Sequence, residues 1–501
     1  MDEIENPLSF PKKIDMPRLQ GYDYSDQLYF GEHFEGYSIK GEADFSKSYS
    51  RLRYVVANFL GLSSRIVAGF LFGEPLSIDF KDQANQDFVD ALIADNHLFT
   101  ELYESALANA RRGDSVFKIR IGQRNPSNVS DPKTIIIEEQ NPNIYFPLFD
   151  PQNAKDVPKQ EVLAWIFKVG NNSYLHKEIH ISGYIFHEIY SYNPDSRLIM
   201  SQESSEAFGF PAQEETGVDR PLVFHVPNVR DGRGYFGTSD YKDLDNLQFA
   251  LNNRLTKIDN ILDKHSDPIL AVPPGVLDEN GKVKKEALGM FEVANDNPGF
   301  NKPEYIVWNA NLDAAFKEID ALVESLFMYS EISPATLGMD KNGIAESGRA
   351  LKLRLLATLR KVNRKRIYYD QTIKDILETA LDLAVAHNIT IGGKAPGKKD
   401  ERPTLNWPDG IPTDTVEQVT EEVQRIDAGL SDVADSLVRL DGLTPADAKK
   451  KAAEIEAANR INLPSTGAVP GGPKAGNMPG GTPGAMPGQM PMGGKMPMKG
   501  G

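Results

Sequence analysis

The sequence predicts a mainly helical α+β protein built from several parts. Over long stretches, apolar residues recur at three- and four-residue steps, which is the pattern of amphipathic helices. Residues 115–226 change to short alternating runs separated by Pro, Asn and Gly, which is typical of strands and their turns. At 501 residues the chain can bury large cores. We therefore expect several domains, or one elongated subunit of many parts, with an antiparallel sheet inserted among helices.

The composition excludes several classes of site. The chain has no cysteine, so disulfides, thiolate metal sites and cysteine nucleophiles are absent, which suits a reducing cytoplasm. Its formal net charge of −16 argues against a protein that wraps nucleic acid, because such binding depends on basic residues that displace counterions. The acidic start, MDEIENPLSFPKK, lacks the apolar core of a signal peptide, so we do not expect secretion by that route.

The N-terminal part combines an arm with helices. Residues 1–48 are rich in Gly and Tyr and weakly periodic, so we expect an extended arm with short elements, of the kind that clasps neighbouring subunits. Residues 54–73 form the most apolar window, but four polar residues lie near its middle: Asn58, Ser63, Ser64 and Arg65. Because polar groups are costly inside a bilayer, a buried core helix is favoured over a membrane span. Residues 87–113 predict one or two further amphipathic helices, closed by Gly113.

The second half of the chain predicts a stalk. Leu and Ile recur at helical steps through residues 239–266, which would form one helix about 42 Å long. A short αβ excursion follows Asp267-Pro268, and residues 310–331 predict a second long helix. Two helices that bracket a small insert indicate a stalk with a knob at its tip.

Beyond the stalk, the pattern is helical until the last forty or so residues. A Gly- and Pro-punctuated loop precedes one long helix, a connector and a compact helical set, in which Thr413 or Asp414 would cap the first helix and Thr444-Pro445 would start the last. Residues 462–501 repeat Met-Pro-Gly units and hold six of the twelve methionines. This stretch lacks the large branched and aromatic residues that build a core, so we expect it to be disordered.

The stretch VRDGRGYFGTSDYKDLDNL, residues 229–247, contains the pattern GxGxxG. A dinucleotide site needs this pattern directly after a strand, before a helix and a parallel return strand. Here PNVRD separates the preceding strand from the first glycine, and the following helix leads into a Pro-terminated excursion. We therefore favour a flexible joint between a strand and the stalk helix, capped by Ser239 and Asp240, over a nucleotide-binding loop.

The other motifs predict neither a metal nor catalysis. The nearest P-loop look-alike, residues 275–282, has the wrong spacing. His176 and His180 lie four residues apart in HKEIH, but the surrounding alternation is that of a strand, so sheet histidines are favoured over a zinc site. Helix capping is likewise favoured over a divalent-cation site for the three carboxylates at the start of the stalk helix, Asp240, Asp243 and Asp245.

One predicted helix is strongly basic. Residues 349–374 hold nine Lys or Arg against one acid, Asp370, which is a local charge of +8. Contact with a polyanion and pairing with acidic faces of a neighbouring subunit explain this charge equally well, since the rest of the chain is acidic. The residues that we assign to one or the other contact are Arg360, Lys361, Arg364 and Lys365.

The order of these parts resembles that of portal proteins, the head-to-tail connectors of tailed bacteriophages, and is most like those of long-tailed phages. VANFLGLSSRIVAGFLFGEPLSID looks like the early helix of the family with its FGxP turn. GYFGTSDYKDLDNLQFALNNRLTKIDNILDKHSDPIL looks like the family's G-x-S-D joint, long helix and DP exit. ESGRALKLRLLATLRKVNRKR is similar to the SG-x-A-L-K start of the helix after the tunnel loop, and WPDGIPTD with AGLS to the crown segment. Together these stretches cover roughly residues 50–460 in family order.

The resemblance implies a ring, usually of twelve subunits, around a DNA tunnel at one capsid vertex. It divides this chain into an N-terminal arm (1–48), the wing (49–238), two stem helices (239–266 and 310–331), the clip (267–309), the tunnel loop (332–345), a long wing helix (346–389), a connector (390–412), the crown (413–461) and the tail (462–501). Neither a catalytic residue nor a cofactor nor a metal is implied.

The implied role is that of a non-enzymatic conduit for DNA packaging and ejection, assembled in the host cytoplasm and retained in the virion. The implied partners are further copies of the chain, the terminase large subunit, a head-completion adaptor, the major capsid and scaffolding proteins, and double-stranded DNA that passes without sequence specificity; a membrane is not among them. The alternatives are a nucleotide-dependent enzyme that uses the glycine loop and a membrane-associated scaffold that uses residues 54–73.

The resemblance also assigns residues to these roles. The tunnel-loop residues that face DNA would be Met339, Asp340, Lys341 and Asn342. The docking surface of the clip would include Asp278, Glu279, Lys282, Lys284 and Lys285. The joint between wing and stem would be formed by Gly232, Gly234, Gly237, Ser239 and Asp240.

Overall fold

The fold was analysed in a computed structural model. It describes residues 6–40, 49–125, 127–128, 130–152, 157–232, 234–266, 269–271, 304–306, 312–339, 348–408 and 415–462. The chain divides into two compact units, Met1–Pro412 and Thr413–Gly501, and each is described by itself. The predicted mainly helical α+β fold class is confirmed.

The first unit contains helices at both ends of its sequence and most of its strands in the middle. Its helices are α1 (Met16–Tyr29), α2 (His33–Ile39), α3 (Phe59–Phe72), α4 (Gln83–Asn96), α5 (Leu98–Arg112), α6 (Asp245–Ser266), α7 (Asp313–Ser330), α8 (Gly348–Arg354) and α9 (Leu356–His387). Its strands are β1 (Ser77–Asp79), β2 (Asp114–Gln123), β3 (Lys133–Gln140), β4 (Leu148–Phe149), β5 (Pro158–Val169), β6 (Asn172–Ile181), β7 (Tyr184–Asn193), β8 (Leu198–Glu203), β9 (Gln213–Glu215), β10 (Val223–Pro227), β11 (Ile269–Ala271), β12 (Glu304–Ile306) and β13 (Thr404–Asn406).

The central strands form two antiparallel sheets, where the sequence predicted one. A three-stranded sheet has the order β10-β2-β3, and a larger sheet has the order β4-β5-β6-β7-β8 with β9 beside β7. The small sheet packs on α5 and its strands are almost continuously buried, with Ile119 opposite Ile137 and Ile121 opposite Ile135. In the larger sheet, β6 alternates largely between buried and half-buried side chains. Two short strand pairs, β1 with β13 and β11 with β12, are separate from both.

The predicted core helix at residues 54–73 is confirmed as α3, over residues 59–72. Leu60, Val67 and Leu71 are at most 1% exposed. Ser64 is also fully buried, and its hydroxyl lies 2.7 Å from the hydroxyl of Tyr241, so the polar residue inside the apolar window has a partner. Within the part of the chain that the structure describes, no helix combines the length and the apolarity needed to cross a bilayer.

The predicted extended N-terminal arm is wrong for the residues that the structure describes. Residues 16–39 form α1 and α2, which pack on the body of the first unit. Their attachment is largely polar: the Arg112 guanidinium binds the Asp26 carboxylate through two nitrogens, at 3.0 and 2.6 Å. Weak apolar periodicity therefore reflects helices held by ion pairs and tyrosine hydroxyls as well as by an apolar face.

Two long helical predictions are confirmed in type and corrected in detail. Residues 87–113 contribute to two helices, because His97 adopts a left-handed conformation (φ 49°) between α4 and α5. The predicted helix at 346–389 is interrupted at Leu355, between α8 and α9. The stalk helix α6 begins at Asp245, six residues later than predicted, and packs beside α7, with the Arg254 guanidinium 2.6 Å from the Glu318 carboxylate.

The second unit is described over three helices, α10 (Thr415–Asp427), α11 (Val433–Asp441) and α12 (Pro445–Asn462). The predicted start of the last helix at Thr444-Pro445 is confirmed, because the Thr444 hydroxyl accepts a hydrogen bond from the Asp447 amide at 3.2 Å. The caps predicted at Thr413 or Asp414, and the tail from Leu463 onwards, lie outside the described residues.

Candidate functional site

The candidate site is the joint between the small sheet and the stalk helix α6, formed by residues 228–245. β10 ends at Pro227 and runs antiparallel to β2, which removes the parallel strand that a dinucleotide fold requires. From Asn228 the chain passes along the C-terminal end of α5 before α6 begins. The joint therefore connects the end of β10 to the start of α6 and lies against the C-terminal end of α5.

Close backbone contact explains one of the three glycines. A Cβ atom on Gly237 would lie 2.1 Å from the Gly113 carbonyl oxygen and 2.6 Å from the Asn228 amide nitrogen. Gly113 itself has φ +95° and touches the backbone of residues 237–239. By contrast, a Cβ on Gly232 or Gly234 would meet no atom within 4 Å. The joint thus uses Gly237 for close packing of two backbones rather than for flexibility.

The carboxylate of Asp114 connects the joint to the N-terminal helices. It is 1% exposed and accepts hydrogen bonds from the Tyr22 hydroxyl at 2.5 Å and from the Gly237 amide at 2.8 Å. The Nε2 atom of His225 lies 2.6 Å from the same carboxylate. Burial, together with the negative charge of Asp114, raises the pKa of Tyr22 well above its usual value. Sequence reasoning missed Asp114, although its place directly after the closing glycine of α5 was a usable signal.

Asp240 does not cap the stalk helix, as the sequence predicted; it is a buried counter-ion. Its carboxylate lies 3.1 Å from the Lys361 ammonium and 2.9 Å from the Lys365 ammonium, both on α9. Asn228 donates to the other carboxylate oxygen at 2.8 Å and also contacts Lys365. Ser239 does not cap α6 either: its hydroxyl donates to the Arg111 carbonyl oxygen at 2.5 Å and accepts from the Tyr241 amide.

The charges around Asp240 are unequal in number, and the pKa values reflect this. Burial opposes ionisation of Asp240, but the two ammonium groups outweigh it and hold the pKa of the carboxyl group well below its usual range. The two lysines share one carboxylate and repel each other. Burial lowers the pKa of Lys365 to about 8. The charge of Lys361 adds to this shift, and the charge of Asp240 opposes it.

The predicted contacts of Lys361 and Lys365 with DNA or a neighbouring subunit are therefore wrong. Lys361 is 7% and Lys365 is 1% exposed, so neither ammonium can reach an external partner. Arg364 is exposed and pairs with Glu331 at 2.6 Å, and Arg360 is exposed on the same helix. Helical spacing explains the split, because residues 361 and 365 lie on one face and residues 360 and 364 lie beside it.

The buried face of α6 includes a row of polar side chains, which sequence reasoning also missed. Gln248, Asn252 and Thr256 recur every four residues and are at most 1% exposed. Their side chains accept hydrogen bonds from the backbone amides of Phe59, Ala57 and Val55 at 3.0–3.1 Å. The Asn252 amide also donates to His33 on α2 at 2.9 Å. This row thus holds the extended segment before α3 against the stalk helix.

Most of the other predicted site residues lie outside the described part of the chain. This holds for Asp278, Glu279, Lys282, Lys284 and Lys285, and for Asp340, Lys341 and Asn342. Met339, the remaining tunnel-loop residue, is 56% exposed at the end of a short turn that follows α7. His176 and His180 lie on β6 as predicted; His180 Nε2 is 2.8 Å from the Glu178 carboxylate, which also binds Lys118. Among the described residues, no cluster of three metal-ligating side chains occurs.

Gly237→Ala should destabilise the protein by about 1–3 kcal/mol, because the added methyl group overlaps backbone atoms that cannot rotate away. Gly234→Ala is the matched control and should change the free energy of unfolding by about 0.5 kcal/mol or less, since the space around Gly234 is open. Denaturant titrations of both variants measure the difference. Equal effects would contradict the assignment of the close contact to Gly237.

Asp240→Asn should cost about 3–5 kcal/mol of unfolding free energy at pH 7, because it leaves two buried ammonium groups without a counter-ion. Without the carboxylate the Lys365 pKa falls below its value of about 8 in the native protein. From that lowered pKa up to about 8, the folded variant has already lost the Lys365 proton that the folded wild type still holds, so the stability of the variant rises with pH while that of the wild type does not. Between about 8 and the ordinary lysine pKa of about 10.4, both stabilities rise alike.

The destabilisation by Asp240→Asn should therefore be smaller at pH 10 than at pH 7 in denaturant titrations. Glu331→Gln, which removes the exposed partner of Arg364, is the control and should change the stability by about 0.5 kcal/mol or less at either pH. If the unfolding free energy lost by Asp240→Asn does not change with pH, the buried lysines are not its cause.

Comparisons with known sequences and structures give a family match and structural similarities. Two solved structures are similar at 13% sequence identity and a TM-score of 0.40: "Virion of native gene transfer agent (GTA) particle", covering 77% of this chain and 90% of that chain, and "Neck of empty GTA particle computed with C6 symmetry", covering 79% and 93%. No curated protein sequence is significantly similar.

A model of the family described as phage portal protein, SPP1 Gp6-like, matches residues 22–430. Proteins of that family are structural and not enzymatic, which agrees with the predicted non-enzymatic role. Since the match spans most of its length, the chain belongs to the SPP1 Gp6-like family of phage portal proteins.

Proposed function

We propose that this portal protein forms a ring at one capsid vertex and that the centre of the ring is the channel for DNA packaging and ejection. The observation that carries the proposal is the family match over residues 22–430. The fold class supports it, because the resemblance implies a mainly helical α+β chain and the described residues form one. The resemblance implies a ring that usually has twelve subunits, and we propose the same number for this chain.

The stalk supports the assignment of stem and clip. α6 and α7 pack side by side, and the strands β11 and β12, which lie between them in the sequence, pair with each other in antiparallel fashion. A helix pair whose connection returns on itself is the geometry expected of a stem with a clip at its tip. We infer that residues 267–309 dock the terminase large subunit during packaging and a head-completion adaptor afterwards, and that the wing contacts the major capsid and scaffolding proteins.

The charge of the chain supports a conduit. Each copy carries a formal charge of −16, so twelve copies carry −192. Phosphate contacts through Lys and Arg hold DNA tightly and in a salt-dependent way, whereas an acidic wall repels it. An acidic ring therefore lets double-stranded DNA slide without sequence-specific contacts, and residues 339–342 at the tunnel loop would be the closest to it.

Arg360 and Arg364 are the remaining candidates for an external contact on α9. Both are exposed, in contrast to Lys361 and Lys365. We infer that they contact an acidic face of the neighbouring subunit, because the chain offers many carboxylates and a sliding duplex is better served without cationic contacts. Contact with DNA is the alternative.

The ring predicts a particle of about twelve subunits when the full chain is purified at assembly concentrations. Mass photometry gives the distribution of masses, and a low-resolution image gives the symmetry. Monomers or dimers alone under these conditions would contradict the proposal. Saturable binding of ATP or NAD to the chain would instead favour the nucleotide-dependent alternative.

Arg360→Gln should weaken ring assembly relative to the wild type, and this difference should shrink as ionic strength rises because salt screens the exposed ion pair that the wild type still has. The same mass measurement detects this defect. The control is Lys352→Gln, which changes an exposed lysine on α8. If rings of Arg360→Gln are intact but fail in packaging, the residue contacts DNA and the intersubunit assignment is wrong.

A further inference from the structure

The C-terminal unit exposes a stripe of apolar side chains. Val419 and Val423 lie one turn apart on α10, Leu430 lies in the turn after it, and Val433 begins α11; their exposed fractions are 49, 51, 74 and 41%. The same helix turns Glu422 inward, where its carboxylate binds the Arg439 guanidinium at 2.8 Å and the Ser436 hydroxyl at 2.8 Å. An ordinary amphipathic helix places its apolar side toward the core. Here the apolar side of α10 has no cover among the described residues of the unit.

The described side chains of the unit form almost no apolar core. Among its side chains described from residue 418 to 458, with 445 and 446 left aside, Ala448 is the one apolar side chain that is buried. A unit of this size needs substantial apolar burial to offset the entropy of folding. Its helices therefore need an apolar covering segment.

The chain itself provides such a segment directly after α12. Residues 463–501 contain six methionines, and methionine fills irregular apolar surfaces well because its side chain is long, unbranched and polarisable. With the dimensions of a Gly-rich random coil, 39 residues would span about 34 Å on average. The longest helix of the unit, α12, has 18 residues and is about 27 Å long, so the segment can reach the whole stripe.

Charge complementarity favours the same segment. Residues 415–462 contain ten Asp or Glu against six Lys or Arg, a net charge of −4. Residues 463–501 contain three Lys and no acid, a net charge of +3. The opposite net charges attract the tail to the helices of its own unit.

We propose that the Met-Pro-Gly segment 463–501 lies on the stripe of Val419, Val423, Leu430 and Val433 in its own chain and completes the core of the C-terminal unit. Because the segment is tethered, its local concentration is in the millimolar range, and weak apolar contacts suffice for occupancy. The proposal gives a role to a part of the sequence that the conduit does not use. It is independent of ring formation, since the contact is within one chain.

The absence of cysteine makes the test free of background. In the full chain, Val423→Cys is combined with Met490→Cys, and disulfide formation is followed over time on a non-reducing gel, where an intrachain loop migrates differently from an interchain dimer. Gln424→Cys with Met490→Cys is the matched control, because Gln424 is exposed on the same helix but points about 100° away from the stripe. We expect the intrachain disulfide of the first pair to form on the order of tenfold faster than that of the control.

A second measurement uses changes in the tail alone. Replacement of all six tail methionines by Ser keeps the length and charge of the tail. It should raise the fluorescence of a dye that binds apolar surfaces and the rate of hydrogen exchange in α10. Replacement of the three tail lysines by Gln should change both readings in the same direction, but less. Equal disulfide rates for the two cysteine pairs would overturn the proposal, because they are the behaviour of an unbound tether. Dimers of the Val423→Cys variant, linked through the introduced thiol and formed faster than the intrachain product, would overturn it in favour of a second copy on the stripe.

Discussion

The buried carboxylate of Asp240, with the ammonium groups of Lys361 and Lys365 around it, is the interaction on which the rest of the first unit depends. It joins the start of the stalk to the long helix α9. Asn228 binds both partners and so ties the end of β10 to the same centre. A buried ion pair contributes little net stability against an apolar replacement, but removal of one partner is costly. Its consequence is a specific geometry: the sheet, the stalk and α9 can meet in one arrangement.

The neighbouring contacts extend that constraint in two directions. Toward the N terminus, Asp114 binds Tyr22 and Gly237, and the Asp245 carboxylate accepts a hydrogen bond from Tyr24 at 2.6 Å and binds Lys40. Along the stalk, Gln248, Asn252 and Thr256 hold the backbone of the segment before α3. These polar contacts are buried or partly buried, and a buried polar group that loses its partner keeps the full cost of its desolvation. The start of a helix pair is therefore positioned by directional bonds rather than by apolar packing alone.

This arrangement also changes the meaning of the basic helix. Part of its positive charge is neutralised inside the subunit, so the surface of α9 is less basic than the residue count indicates. This arrangement would suit the proposed channel, because cationic groups on the path of DNA would bind its phosphates. The basic residues of α9 thus first hold the subunit together, and only the exposed arginines remain for contacts beyond it.

The fold class, the core helix at residues 54–73, the stalk pair and most strand positions could be predicted from the sequence, because they depend on the local period of apolar residues. The split into two sheets, the packed helices of the N-terminal segment and the late start of α6 could not, since they depend on partners far away in the sequence. At the joint, the sequence by itself determined that glycines and an Asp stand between a strand and a helix. Only the tertiary structure decided that Gly237 meets Gly113 and that Asp240 faces two lysines more than a hundred residues away, because hydrogen bonds and ion pairs between distant residues leave no periodic pattern in the chain.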